Sequence, residues 1–354
     1  MIQFLIKKTL YGLLVLLGVI ILVFFLFQGF GDPSRIVMGQ SGDSTTQANI
    51  RKELYLINEK GEPIPKFKQF LYYLNDVSPI CFHSKGDITK KKLKGFFIGG
   101  NTKFGIKVPY LRKSYQSKRE VWSILMQALP GTLMLAVAAM FIAILIGIPL
   151  GVMAAVKQNT WLDTSAIFSS IVGISAPSFF MGIIMVYLFG FVFSEWTGLH
   201  IAGSWFAIDD AGQRRLSMQN LILPAITLGI RPMAIITQLT RSAMLDVLDQ
   251  DYIRTAYAKG LSKRQVIWKH GLRNALNPVI TAITGWFAEL LAGAFFVEYI
   301  FGWQGIGKVT VDALEKLDYP VVMGSVLVAA SFFIVINILA DVLYGAVDPR
   351  VRMK

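Results

Sequence analysis

Near its C-terminal end the chain carries Gly302-Trp-Gln-Gly-Ile-Gly307-Lys308-Val309, one residue short of a nucleotide-phosphate loop. Such a loop cradles phosphates on glycine-rich backbone, reaches them with its lysine, and holds magnesium with the Ser or Thr that follows. Val309 has no hydroxyl, so the run is read as a chance match and the chain as carrying no ATPase of its own. Neither Gly-x-Ser-x-Gly nor His-Glu-x-x-His occurs, which argues against a membrane protease. Cys81 is the single cysteine, so no intrachain disulfide or thiolate metal cluster can form. His83, His200 and His270 lie far apart without zinc spacing, and no metal site is expected. The remaining chemistry is ionic. Arg231 beside Pro232, Glu289 and Asp341 all fall within apolar stretches, where charge is costly and often functional. Glu289 is a candidate to face a translocation path and receive an ammonium group, with Arg231 a second candidate. The alternative is an interhelical hydrogen bond or salt bridge, for which each is one candidate partner of the other.

The elements that must position these groups are apolar. The 354 residues are 54% hydrophobic and 16% charged, with mean hydropathy +0.54; a soluble domain carries about 25% charged residues. Six runs are expected to cross the roughly 30 Å of bilayer hydrocarbon: Thr9–Phe30, Leu129–Val156, Ser165–Phe193, Leu221–Ser242, Pro278–Ile300 and Val321–Tyr344. In hydrocarbon these must be helices, which satisfy their own backbone groups. The first run exceeds the roughly 7–15 apolar residues of a secretory signal and lacks a cleavage site, so it is read as an uncleaved span. The net charge of +13 is ascribed to topology and anionic headgroups rather than nucleic acid. Lys7, Lys8, Lys157, Arg241 and the basic residues from Arg254 to Arg273 gather on one side, which sets both termini in the cytoplasm. The 31–128 loop is lysine-rich at Lys90, Lys91, Lys92 and Lys94, yet is longer than the ~60 residues over which that bias acts. It is expected to form a small extracytoplasmic cap. Gly147 and Gly151 have the spacing of close helix packing, and Trp161, Trp196, Trp205 and Trp303 that of an interfacial belt.

The most informative stretch runs from Asp251 to Pro278. It reads as helix, turn, helix: Gly260 suits the left-handed position after a helix, and Ser262 with Gln265 forms a capping-box pattern. Pro278 is then expected to open the fifth span. Such a compact basic knob could rest on anionic lipid or dock on a partner.

The stretch resembles the EAA loop of bacterial ABC importer permeases. Arg254-Thr255-Ala256 falls on Glu-Ala-Ala, Gly260 on the glycine, and His270-Gly-Leu272-Arg273 on Ile-x-Leu-Pro. The departures match the oligopeptide and dipeptide permease branch (OppB/DppB-like), although Tyr257 replaces its customary arginine. Gly31-Asp32-Pro33, Leu129-Pro130-Gly-Thr132-Leu133, Ser175-Ala-Pro177-Ser-Phe179, Thr240-Arg241-Ser242 and Glu298-x-x-Phe301-Gly-Trp303-x-Gly305-Ile-Gly307 extend the likeness, as do Asp318-Tyr319-Pro320 and Asp348-Pro349-Arg350. Gln304 stands where the family commonly has proline, and 78–109 looks like an insertion.

The resemblance implies an all-α membrane protein of six transmembrane helices with a type I, MetI-like permease core. Its parts would be a first helix at 1–30, an extracytoplasmic cap at 31–128, a core at 129–344 containing a coupling loop at 243–277, and a cytoplasmic tail at 345–354. Tyr252, Arg254, Thr255, Ala256, Lys259, Gly260, His270, Leu272 and Arg273 would contact an ATPase. The implied partners are a second permease, two ATPase subunits binding ATP and magnesium, and an extracytoplasmic substrate-binding protein. The chain itself would hold no cofactor and catalyse nothing, sitting in the bacterial inner membrane to pass di- or oligopeptides. Import of nickel or another small solute, and a non-transport signalling or assembly role, are the alternative readings.

Overall fold

The computed structural model describes residues 2–28, 51–52, 55–58, 60–204, 206–208 and 214–347. Gly31-Asp32-Pro33, Trp205 and Asp348-Pro349-Arg350 lie outside them. Among the described residues four helices are long and apolar enough to cross a membrane: Gln3–Gln28, Val121–Val156, Gln219–Leu248 and Tyr319–Val342. They belong to α1 (Ile2–Gln28), α4 (Val121–Val156), α7 (Gln219–Leu248) and α13 (Tyr319–Val347).

The expected single span Ser165–Phe193 is broken. Helix α5 (Trp161–Ser175) ends at Ala176, which is extended ahead of Pro177, and α6 (Ser178–Tyr187) continues through a π turn to Val192. Proline disfavours the helical conformation in the residue before it, and the two limbs diverge by 110°. Each limb is about 22 Å long at 1.5 Å per residue, short of the hydrocarbon thickness. Counted as one broken span, the pair raises the number to five. The expected fifth run, Pro278–Ile300, falls in α10 (Leu272–Gly293) and α11 (Phe295–Ile300). Helix α10 starts before Pro278 and passes through it, so the proline does not open the span. Asn277, Thr281, Thr284 and Glu289 make it more polar than the other four.

By internal contacts the chain forms two units. One comprises residues 1–10, 128–308 and 331–354. In it α4 and α7 approach backbone to backbone. A Cβ on Gly151 would stand 2.6 Å from the Thr237 carbonyl oxygen, and one on Gly229 would stand 2.8 Å from that of Ala139. Leu135, Ala139, Leu223, Ile236, Val279 and Trp303 are buried around this crossing. A second cluster joins Val152 and Ala155 of α4 to Met244 of α7 and Leu272 and Ala275 of α10. The C-terminal ends of α4 and α7 therefore share one end of the unit with the start of α10. Lys8 and Asp341 pair at 2.8 Å, bringing the two chain ends together.

The other unit comprises residues 11–127 and 309–330. Helix α2 (Lys66–Val77) packs Phe70 and Tyr73 on Phe24 of α1, at 5.4 and 5.5 Å between rings. The segment 78–109, read from sequence as an unmatched insertion in an all-α protein, holds an antiparallel sheet. Strands β1 (Ile80–Ser84), β2 (Gly95–Ile98) and β3 (Thr102–Lys107) lie in the order β1-β3-β2, with helix α3 (Lys85–Lys91) between the first two. Ile80 pairs with Ile106, and Phe82 with Phe104. The insertion closes on itself: Lys107 N–H donates to the Pro79 carbonyl at 2.8 Å and Tyr110 N–H to that of Asp76 at 2.9 Å. Buried Asp318 takes hydrogen bonds from the Ser114 hydroxyl and the Tyr115 amide, tying that segment to the start of α13.

Candidate functional site

The knob between α7 and α10 is built as its sequence directs. Gln250 is extended and starts α8 (Asp251–Ala258), whose amphipathic pattern buries Ile253 and Ala256 against Val266. Gly260 turns the chain with φ +80°, and a Cβ there would meet nothing within 4 Å. Its demand on side-chain type is therefore conformational alone. Ser262 and Gln265 form the full capping box that opens α9 (Lys263–Gln265). The second helix is not separate, however. A π turn from Val266 to Gly271 carries α9 directly into α10, so the second half of the knob is the bent start of α10.

The motif residues divide by role. Ala256 and Leu272 are buried and fasten the knob to the helices above it. Tyr252 lies at the surface, where its hydroxyl accepts from Asn274 at 2.9 Å. Arg254, Thr255, Lys259 and Arg273 are exposed and His270 is half-buried. Arg254 makes only a 3.5 Å contact with exposed Asp251. Tyr257 and Trp268 add exposed aromatic surface. The outward face is thus basic and aromatic over an apolar underside, a composition suited to a protein partner.

Arg231 and Glu289 do converge. Both line a small open cleft with Trp286, Thr227, Met181 and Gly173, contributed by α5, α6, α7 and α10. The Arg231 guanidinium stands 5.2 Å from the centre of the Trp286 ring. No ion pair joins Arg231 to Glu289 within 4.0 Å among the described residues, so the interhelical ion pair expected as the alternative does not form. An acid and a base open to one cleft can each meet an opposite charge on a solute.

The residue that sequence reasoning passed over is Glu298, quoted there only as part of a motif. It is fully buried. Its carboxylate accepts from the Thr132 hydroxyl at 2.7 Å, from the Lys308 amide at 3.1 Å and from the Gly307 amide. Gly307 and Lys308 open α12 (Ile306–Glu315), so the carboxylate caps the positive end of that helix. The run that nearly spells a phosphate loop holds a carboxyl group after all, and that group is the chain's own. Glycine is required because a Cβ on Gly305 would collide with the carboxylate. Thr132 also accepts from the Ile306 amide at 2.8 Å, and the Trp303 indole donates to the Gly131 carbonyl at 2.9 Å. A Cβ on Gly131 would likewise overlap the carbonyl oxygen of Gln304. The motifs at 129–133 and 298–307, separate in sequence, are one buried assembly.

These motifs, the knob and the apolar helices point to one family. Residues 147–353 match the family described as "Binding-protein-dependent transport system inner membrane component", and residues 1–83 match the one described as "Binding-prot-dependent transport system membrane comp, N-term". The chain belongs to this family. It is a membrane permease subunit of an ABC importer. The dipeptide transport system permease protein DppB of Escherichia coli strain K12 is 36% identical over 375 aligned residues that cover all of both chains. The glutathione transport system permease protein GsiC of the same strain is 33% identical over 356, again covering both. A chain of the inward-facing MetNI methionine ABC transporter superposes with TM-score 0.49 at 18% identity, over 64% of this chain and 97% of its own.

In the permease a second polar contact links the bent pair to the knob-bearing helix. Asp163, at the start of α5, is buried and takes two hydrogen bonds from Arg241 near the end of α7, at 2.5 and 2.8 Å. Its carboxylate also accepts from the Asn159 amide at 3.0 Å. The sequence marked Arg241 as a motif position but gave no partner for it, since 78 residues separate the two.

Proposed function

We propose that this permease forms half of a translocation path for di- or oligopeptides, working with a second permease, two ATPase subunits and an extracytoplasmic binding protein. The observation that carries the reading is the common origin of cleft and knob. Helix α7 leads into the knob and α10 leads out of it, and both line the Arg231–Glu289 cleft. Seventeen residues separate Leu248 from Arg231 and Leu272 from Glu289, so both charges stand about 26 Å along their helices from the knob. A displacement of the knob by nucleotide-driven closure would move both cleft walls together, as a rigid element must if it is to couple ATP to access.

Peptides fit the cleft's chemistry. A zwitterion needs an acid for its ammonium and a base for its carboxylate, and Glu289 and Arg231 supply one each beside an indole. The two full-length relatives are described as permease proteins of a dipeptide and of a glutathione transport system. ATP and magnesium would be bound on the ATPase chains, with this chain non-catalytic.

Six crossings with both termini in the cytoplasm account for the contacts at the helix ends. The ends of α4 and α7 share one side, which supports a return crossing by the bent α5–α6 pair between them. The Lys8–Asp341 pair likewise requires α1 and α13 to start and finish on one side. The 31–128 loop then falls outside the cell as a cap, and the knob falls inside.

Uptake of a labelled dipeptide into proteoliposomes holding the full importer tests the path. Glu289→Gln is expected to lower uptake of peptides with a free N-terminus at least tenfold while sparing N-acetylated ones. Unchanged uptake across several free peptides would remove Glu289 from the path.

A further inference from the structure

The insertion sheet leaves one face uncovered. Ile80, Phe82, Phe96, Ile98, Phe104 and Ile106 all point to it, and each is between 47% and 72% exposed. The register arranges them as two rows of three, Ile80-Ile106-Phe96 and Phe82-Phe104-Ile98. The opposite face is packed: Cys81, His83 and Lys107 are buried, Lys107 donates to the Asp76 carbonyl, and Asn75 exchanges two hydrogen bonds with the Phe82 backbone. An apolar patch of six large side chains is beyond the scattered exposure normal for a soluble surface and marks a covering partner.

We propose that this face lies on the anionic phospholipid of the outer leaflet, making the insertion a peripheral membrane anchor. The proposal rests on the extracytoplasmic placement of the 31–128 loop. The first argument is position. Helix α2 carries the sheet and is itself stacked on the apolar end of the first span, Phe70 lying 5.4 Å from Phe24 and 6.0 Å from Phe25. Phe25 sits with Leu22 and Leu26 on the exposed side of α1, the side lipid must cover. From there the apolar surface continues onto α2, where Phe67 and Leu71, one helical turn apart, are also exposed beside Lys66 and Lys68. Ring packing at that depth fixes α2 at the bilayer surface, and the sheet is hydrogen-bonded to α2.

The second argument is charge. Residues 78–109 contain seven lysines against one acid, Asp87. Asp76 takes two of them, pairing with Lys91 and accepting through its carbonyl from Lys107. Lys85, Lys90, Lys92 and Lys94 remain exposed. An apolar face carried by the same small insertion as four exposed lysines suits a site where hydrocarbon lies under negative headgroups. A purely protein-binding sheet face has no need of that excess.

The test places a nitroxide at the most exposed side chain of the patch through Phe96→Cys, leaving buried Cys81 unlabelled, in the full importer in nanodiscs. The expected result is that oxygen collides with the label several-fold more often than a water-soluble nickel chelate does. Replacing phosphatidylglycerol by phosphatidylcholine should reduce this contrast at least twofold. Collision rates equal to those of a label in water would overturn the proposal. So would a label immobilised only when the binding protein is added, which would make the face a protein dock. A separate Lys90→Cys variant, treated with an impermeant maleimide on spheroplasts, reports sidedness. Labelling only after lysis would refute the topology and the outer-leaflet assignment, while the collision data still decide whether the face touches lipid.

Discussion

Replacing Glu298 by alanine and by glutamine should give two very different outcomes. Its carboxylate satisfies a hydroxyl and two first-turn amides of α12 within a fully buried site. Alanine leaves these donors without an acceptor. The Thr132 hydroxyl can rotate, but the Gly307 and Lys308 amides are fixed by the helix. Each orphaned buried donor costs about 1–3 kcal/mol, and the cavity adds to this, so a loss of ~3–5 kcal/mol is expected. A glutamine side chain would keep one oxygen for the amides and turn its NH₂ towards Thr132, whose oxygen can accept it. What is lost is the charge facing the helix end and one donor geometry, about 1–2 kcal/mol. At roughly 2 °C per kcal/mol for a chain of this size, Glu298→Ala should lower the apparent melting temperature of the importer in nanodiscs by roughly 6–10 °C. Glu298→Gln should lower it by about 2–4 °C on the same scale. Both scans need the same heating rate, because membrane-protein unfolding is seldom reversible. Equal shifts for the two variants, or an alanine variant within about 2 °C of the native protein on that scale, would refute the capping role.

Gly260→Val should leave the permease in the membrane but uncouple it, because a β-branched residue at φ +80° costs about 1–2 kcal/mol and tilts the knob; normal transport-coupled ATP hydrolysis in reconstituted importer would contradict this. Asp163→Asn strands a largely buried guanidinium, and a loss of ~3–5 kcal/mol is typical of breaking such a pair. The charge-swapped Asp163→Arg/Arg241→Asp variant should recover part of the uptake lost by either single change, and strictly additive losses would deny the pairing. Burial, followed by the charge of Lys91, holds the His83 imidazole below its ordinary range. The unfolded loop therefore takes up more protons than the folded one below about pH 6.5, and stability falls as pH drops through that value. Limited proteolysis of the 60–120 region should quicken from pH 7.5 to 5.5, and His83→Gln should flatten the trend; a parallel trend in both would exclude His83 as its source.

Local rules carried much of this. The capping box at Ser262 and Gln265, the left-handed turn at Gly260 and the close-packing spacing of Gly147 and Gly151 each depend on a few neighbouring residues, and each is found where the sequence puts it. The apolar runs that give α1, α4, α7 and α13 are equally local, since hydrocarbon demands the same of every residue in a span. The sheet was legible in principle, because Ile80-x-Phe82, Phe96-x-Ile98 and Phe104-x-Ile106 alternate with period two. The lysines between them and the expectation of an all-helical protein concealed it.

The sequence by itself determined that this is an apolar, multi-helix chain with a basic knob and no phosphate-loop hydroxyl, since those properties reside in composition and short spacing. Only the tertiary structure decided that Asp163 meets Arg241, that Arg231 and Glu289 share a cleft without pairing, and that Glu298 fills the loop resembling a nucleotide site. Each of those depends on which helix ends are brought side by side. That choice is made by the summed packing of α4, α7 and α10 around their glycines, a long-range quantity that no short window of residues contains.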